Sequence, residues 1–187
     1  MCTLPEPRRL PGDLAMWFFI LAELSVFAIL ILAFAVTQVL KPEVFAEGRA
    51  QLDTSTGLAM TLSLLTTGLL AALALQQVRL QRWRRGTGFF VAALLVALVY
   101  VAIKLTEYAH LGAAGLGLEH STFFTLYWIL TGFHFLHVLL GMVILAWLAL
   151  GCWRGGLSVG GLESGVLYWH MVDLVWVVLF PLVYVIG

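Results

Sequence analysis

Apolar residues in this chain gather into five long blocks, at about 13–38, 54–77, 87–108, 121–150 and 162–186, with short polar segments between them. A bilayer core about 30 Å thick is crossed by roughly 20 apolar residues in a helix, so each block suffices for one crossing. The pattern predicts an all-α protein: an integral membrane bundle of five transmembrane helices forming one domain over 1–187. Pro11-Gly12-Asp13 makes a plausible start, with Asp13 placed to cap the first span, and Lys41-Pro42 closes it. The segment 41–53 reads as a loop of mixed charge, 79–85 as a short basic connection and 111–120 as a glycine-rich loop. Arg154 and several glycines make the last turn. No linker, internal repeat or second domain interrupts the series.

Composition sharpens this picture. Hydrophobic residues make up 62% of the chain and charged ones 11%, too few to coat a soluble domain of this length. Ten basic and ten acidic residues cancel, so no long-range field points to a nucleic acid. The basic residues instead report orientation. Arg8, Arg9, Arg79, Arg82, Arg84, Arg85 and Arg154 fall on one side, Lys41 and Arg49 on the other. That asymmetry predicts a cytoplasmic N-terminus and an outside C-terminus. The polar start, residues 1–12, precedes an apolar run too long for a signal-peptide core and without a small-residue cleavage site, so the first block is expected to be a retained span. Cys2 and Cys152 then both face the cytoplasm and are expected to be unpaired thiols. Trp17, Trp83, Trp128 and Trp153 fall mostly near span ends, as interfacial anchors do.

Ionisable residues inside the spans are costly and mark candidate function. They are Glu23, Lys104, Glu107, His134, His137, His170 and Asp173. At about 1.5 Å per residue, Glu23, His134, His137, His170 and Asp173 reach similar depths near the midplane, on three helices. They are expected to point inward and meet in one polar cluster. Glu23 and Asp173 are each expected to bond a histidine or tyrosine of a neighbouring helix. His134 and His137 are three apart and share a face, as do His170 and Asp173. Three readings stay open: a buried hydrogen-bonded set that fixes packing, a proton-linked group, or ligands to a metal or haem. The last has weak support, since no Cys-x-x-Cys-His, His-Glu-x-x-His or repeated Glu-x-x-His is present. Lys104 and Glu107, three apart near the outer end of span three, are expected to form an ion pair from which the lysine can snorkel outward. Span two is rich in small residues, among them Gly57, Thr61, Ser63, Thr67, Gly68, Ala71 and Ala72, which suit close approach of another helix.

Several segments then match a known family. GDLAMWFFILAEL (12–24) resembles the opening core helix of subunit III of the haem-copper oxidases, whose acidic residue falls on Glu23. KLTEYAH (104–110) is similar to that family's Glu-Tyr segment, at Glu107 and Tyr108. TGFHFLHV (131–138) and YWHMVDLVW (168–176) resemble its two histidine signatures. The resemblance spans nearly the whole chain in order. It departs in having five helices where many members have seven, and no histidine in span two. The short form, the LPGDLAMWFFILAEL start and the VFAEGRAQLD loop (44–53) look most like the NorE branch, associated with nitric oxide reductase and denitrification. The resemblance implies a non-catalytic accessory subunit of the bacterial cytoplasmic membrane, without haem or copper of its own. Such a subunit holds phospholipid and sits beside a catalytic subunit of a nitric oxide reductase or a haem-copper terminal oxidase, with a possible part in proton supply. A small transporter or proton-conducting protein is the alternative of another class, though no repeat or interrupted helix supports it. A b-type cytochrome is a further alternative, to be recognised by its colour.

Overall fold

The computed structural model describes residues 14–186. Its elements are α1 (Leu14–Leu40), α2 (Pro42–Arg49), α3 (Thr54–Arg79), α4 (Trp83–Ala113), α5 (Thr122–Arg154) and α6 (Val159–Phe180), followed by a wider π-helical turn, Pro181–Val185. Among the described residues there is no strand, and five of the helices are long and apolar enough to cross a membrane. The Asp13 cap, Arg8, Arg9 and Cys2 lie outside the described residues.

Local chemistry explains where the helices begin and end. Asp53 accepts from the amides of Ser55 and Thr56, Ser121 from that of Phe124, and Ser158 from that of Gly161, so each of three helix starts has one or two of its free donors satisfied. The Thr56 hydroxyl and the Ser55 amide hold the exposed Asp53 carboxyl below its usual range. Gly155 ends α5 at φ +67, where a Cβ would crowd the backbone.

Four boundaries differ from the sequence expectation. The mixed-charge segment 41–53 contains a helix, because Pro42 stands in the first turn of α2 and Phe45 has a pocket to fill. Phe45 packs edge-on against Phe34 of α1 and Phe123 of α5, at 5.0 and 5.3 Å between centroids. The basic segment 79–85 is mostly helical, with only residues 80–82 outside α3 and α4, since arginines mark the interface without breaking a helix. Helix α4 runs on to Ala113, into the expected glycine-rich loop. Helix α5 likewise runs four residues past 150. The spans are therefore longer than their apolar blocks.

Helices α3, α4, α5 and α6 close into a ring in which α3 touches α4 and α6, and α5 touches the same two; α1 leans on α5 and α6 from outside. The small residues of α3 lie inside this chain. A Cβ on Gly68 would run into Asp173 Oδ2, and one on Gly57 would stand 2.7 Å from the Phe180 ring, so side chains of α6 fill the space these glycines of α3 leave. Thr61 joins the same contact by accepting from Trp176 Nε1 at 2.9 Å.

Candidate functional site

The most extensive buried polar network centres on Lys104. Its side chain is 0% exposed and that of Glu107 9%, with Nζ to Oε2 at 2.6 Å. The ammonium also donates to the hydroxyls of Tyr127 and Tyr184, both at 3.1 Å. Its three N–H bonds thus have three acceptors. Each tyrosine in turn donates to Glu107, Tyr127 at 2.9 Å and Tyr184 at 2.8 Å, so the carboxylate is satisfied by the same three groups. The rings of Tyr108, Tyr127 and Trp176 surround Nζ at 4.8, 5.0 and 5.6 Å, adding cation–π attraction. Three elements, α4, α5 and the π-helical turn, are tied by one closed set of charge-assisted bonds.

The lysine does not snorkel. Because α4 continues to Ala113, Lys104 lies nine residues, about 13 Å, from the helix end rather than beside it. Its acceptors are all inside the bundle. Tyr127 and Tyr184 were not singled out from sequence. Their signal was depth: Tyr127 comes one turn and a half into α5 and Tyr184 in the turn that follows α6, both at the end of the bundle where Glu107 sits.

The five midplane residues do not form one cluster. Glu23 and His137 make one pair, Nε2 to Oε2 at 3.0 Å, with side chains 22% and 11% exposed. His137 Nδ1 lies 2.8 Å from the Phe133 carbonyl, which can only accept. Nδ1 therefore carries a proton, and the Nε2–Oε2 contact holds one more, on the imidazole or on the carboxyl. Phe27 and Phe133 cover the ring at 5.0 and 4.5 Å. This pair joins α1 to α5 across an otherwise apolar contact.

His134 is fully buried but turns elsewhere, to Trp176 at 5.0 Å and Tyr100 at 6.2 Å between centroids. Three residues of α-helix fall about 60° short of a full turn, so His137 bonds Glu23 of α1 while His134 lies deeper, against α4 and α6 and with Phe27 of α1 at 6.3 Å. Neither nitrogen of His134 has a hydrogen-bond partner among the described residues. His170 and Asp173 form a second pair at 3.5 Å, within α6 and not between helices. Asp173 is buried against Gly68 of α3, whereas the His170 side chain is 43% exposed and does not point inward. Gly68 leaves room for the Asp173 carboxylate, and the edge of the His170 ring lies beside the same gap, with Cε1 3.4 Å from where a Cβ would stand. His134 and His137 thus do not share one open space with His170, as a pair of axial haem ligands would. Among the described residues no three His, Cys, Asp or Glu side chains converge as metal ligands would.

Beside the network, a cleft of about 520 Å³ opens between the start of α3 and the end of α4, lined by Asp53, Thr56, Thr106, Glu107 and His110 among others. Cys152 is buried and free.

The family model described as cytochrome c oxidase subunit III matches residues 12–187. The chain is 30% identical to a probable quinol oxidase subunit 3 of Staphylococcus aureus over 182 residues, covering 94% of this chain and 89% of that protein. It is equally 30% identical, over 181 residues, to a heme-copper oxidase subunit I+III of Aeropyrum pernix, covering 92% of this chain and 22% of that longer protein. Five apolar helices, the ordered histidine signatures of α5 and α6, and a match from residue 12 to the end agree, and the chain belongs to the cytochrome c oxidase subunit III family.

Proposed function

We propose that this protein is the third, accessory subunit of a respiratory haem-copper oxidase, has no redox centre of its own, and stabilises the catalytic subunit in a bacterial cytoplasmic membrane. The observation that carries the reading is the end-to-end similarity to a quinol oxidase subunit 3. The geometry supports it: the charged residues inside the bundle are paired with one another, as suits a scaffold, and the Lys104 network locks three elements without leaving a free group for chemistry. The partner in this reading is subunit I, with which a subunit III is combined by name in the Aeropyrum relative. Bound phospholipid belongs to the same reading, as does an N-terminus inside and a C-terminus outside. Labelling of single cysteines placed at 79–85 from the cytoplasmic side only is the expected topology result; labelling from the outside only would reverse it.

The second reading is service to a nitric oxide reductase, favoured by the LPGDLAMWFFILAEL start and the VFAEGRAQLD loop. Shortness does not separate the two, because the quinol oxidase subunit is matched over 89% of its length by a chain of this size. Deleting the gene and measuring oxygen and nitric oxide consumption by the membranes decides between them. A fall in oxygen consumption alone supports the oxidase, and a fall in nitric oxide consumption alone supports the reductase. No change in either, with both enzymes present, refutes the accessory role.

A further inference from the structure

The exposed side of α6 next to α3 contains a polar group that lipid cannot satisfy. His170 lies eleven residues on from Val159, about 17 Å along the helix, well inside the span. Its side chain is 43% exposed; Nδ1 faces Asp173 at 3.5 Å, and Nε2 makes no hydrogen bond among the described residues. Other exposed polar groups within the spans solve this problem internally. The hydroxyls of Ser25, Thr66 and Thr106 each donate to the carbonyl one turn back, so they tolerate lipid. His137 makes the same kind of bond to the Phe133 carbonyl, but His170 has Asp173 beside its Nδ1 and leaves Nε2 unpaired, and an unpaired ring nitrogen in hydrocarbon is costly. Towards the inner side the histidine opens into a cleft of about 260 Å³ between α3 and α6, walled by Ala72, Leu75, Gln76 and Leu167 and closed at its mouth by the Arg79–Glu163 ion pair at 2.7 Å. Towards the outer side the stripe continues as exposed Leu174, Val177 and Val178, at helical spacing.

Resting on the subunit III reading above, we infer that this α3–α6 face is the docking surface for a transmembrane helix of subunit I, which offers His170 a hydrogen-bonding side chain. The occupant is a helix because the need is for one fixed polar group at midplane depth, flanked by apolar surface along the same helix. An acyl chain supplies the second and not the first. Interhelical hydrogen bonds of this kind hold membrane subunits in register.

Photo-crosslinking in native membranes tests the assignment. Benzoylphenylalanine is placed at Leu174, and as a control at Val143, an exposed residue of α5. Products are identified by mass spectrometry. A Leu174 crosslink to subunit I, with none from Val143, is expected. Crosslinks to subunit I from Val143 alone, or only lipid adducts or a second copy of this chain at Leu174 while subunit I still co-purifies, would overturn the docking face and leave the accessory role standing. Absence of any haem-copper subunit I from the purified complex would remove the accessory role and this inference with it. In parallel, His170→Leu should lower co-purified haem by roughly three- to tenfold, the weight of one interhelical hydrogen bond in a bilayer. His170→Gln should retain more, and the isolated His170→Leu chain should melt like wild type. Unchanged haem in His170→Leu would also count against the docking face.

Discussion

Replacing Glu107 by Gln keeps the shape of the side chain and removes the charge that balances Lys104. The consequence can be worked from the distances. Two unit charges at 2.6 Å attract by about 6 kcal/mol at an effective dielectric constant of about 20. Desolvating the two ions offsets much of that while both are present. With Gln, the desolvated ammonium remains and its counter-charge is gone. The amide also brings donors towards Tyr127 and Tyr184, whose hydroxyls already accept from Lys104, so at least one bond is lost. Glu107→Gln should therefore cost about 3–5 kcal/mol, as breaking a buried pair does. Lys104→Met should cost less, because the carboxylate keeps two tyrosine donors. The double variant should recover to within about 2 kcal/mol of wild type, since a buried pair replaced by uncharged groups is often near neutral. The assay is equilibrium unfolding of the purified chain in mixed micelles titrated with SDS, analysed as a double-mutant cycle with an expected coupling of about 3 kcal/mol. Additive losses in the double variant, or a Glu107→Gln curve superimposed on wild type, would refute the reasoning.

Gly68→Ala should destabilise the chain in the same assay, because its Cβ would run into Asp173 Oδ2, while Gly88→Ala, which meets nothing within 4 Å, should be neutral or gain up to about 1 kcal/mol. Glu23→Gln should leave assembly intact because it can still bond His137; unchanged enzyme turnover in the same preparation identifies a structural pair, and turnover slowed where proton supply is limiting identifies a proton-linked one. Asp53 has its folded-state pKa below the ordinary value, so its stabilisation is complete above the usual carboxylate range and lost as pH falls through the lower, folded value. Asp53→Asn should remove that share of the acid sensitivity, measured as melting temperature against pH.

Span number and approximate limits were legible because a bilayer demands a length of apolar chain that little else produces. The helix α2 was not, since eight residues of mixed charge become helical only when Phe45 is held between Phe34 and Phe123. For the buried polar groups, depth was readable and direction was not. Depth follows from counting residues, whereas direction depends on where each helix turns against its neighbours. His134, His137 and His170 share a level and face three ways. Lys104 was placed too near the surface because the apolar block ends before the helix does. The resemblance found its counterpart in the family match over 12–187, because the two histidine signatures and the first span are written in the sequence itself.

The central claim is that this chain is an accessory subunit beside a separate catalytic one. Native mass spectrometry of the gently solubilised complex, with an optical spectrum taken before and after the subunits are parted, tests it most directly. The expected result is one copy of this chain with a haem-copper subunit I, and haem absorbance that stays entirely with subunit I. Haem absorbance that stays with this chain, or a chain that purifies without any catalytic oxidase or reductase subunit, would contradict it.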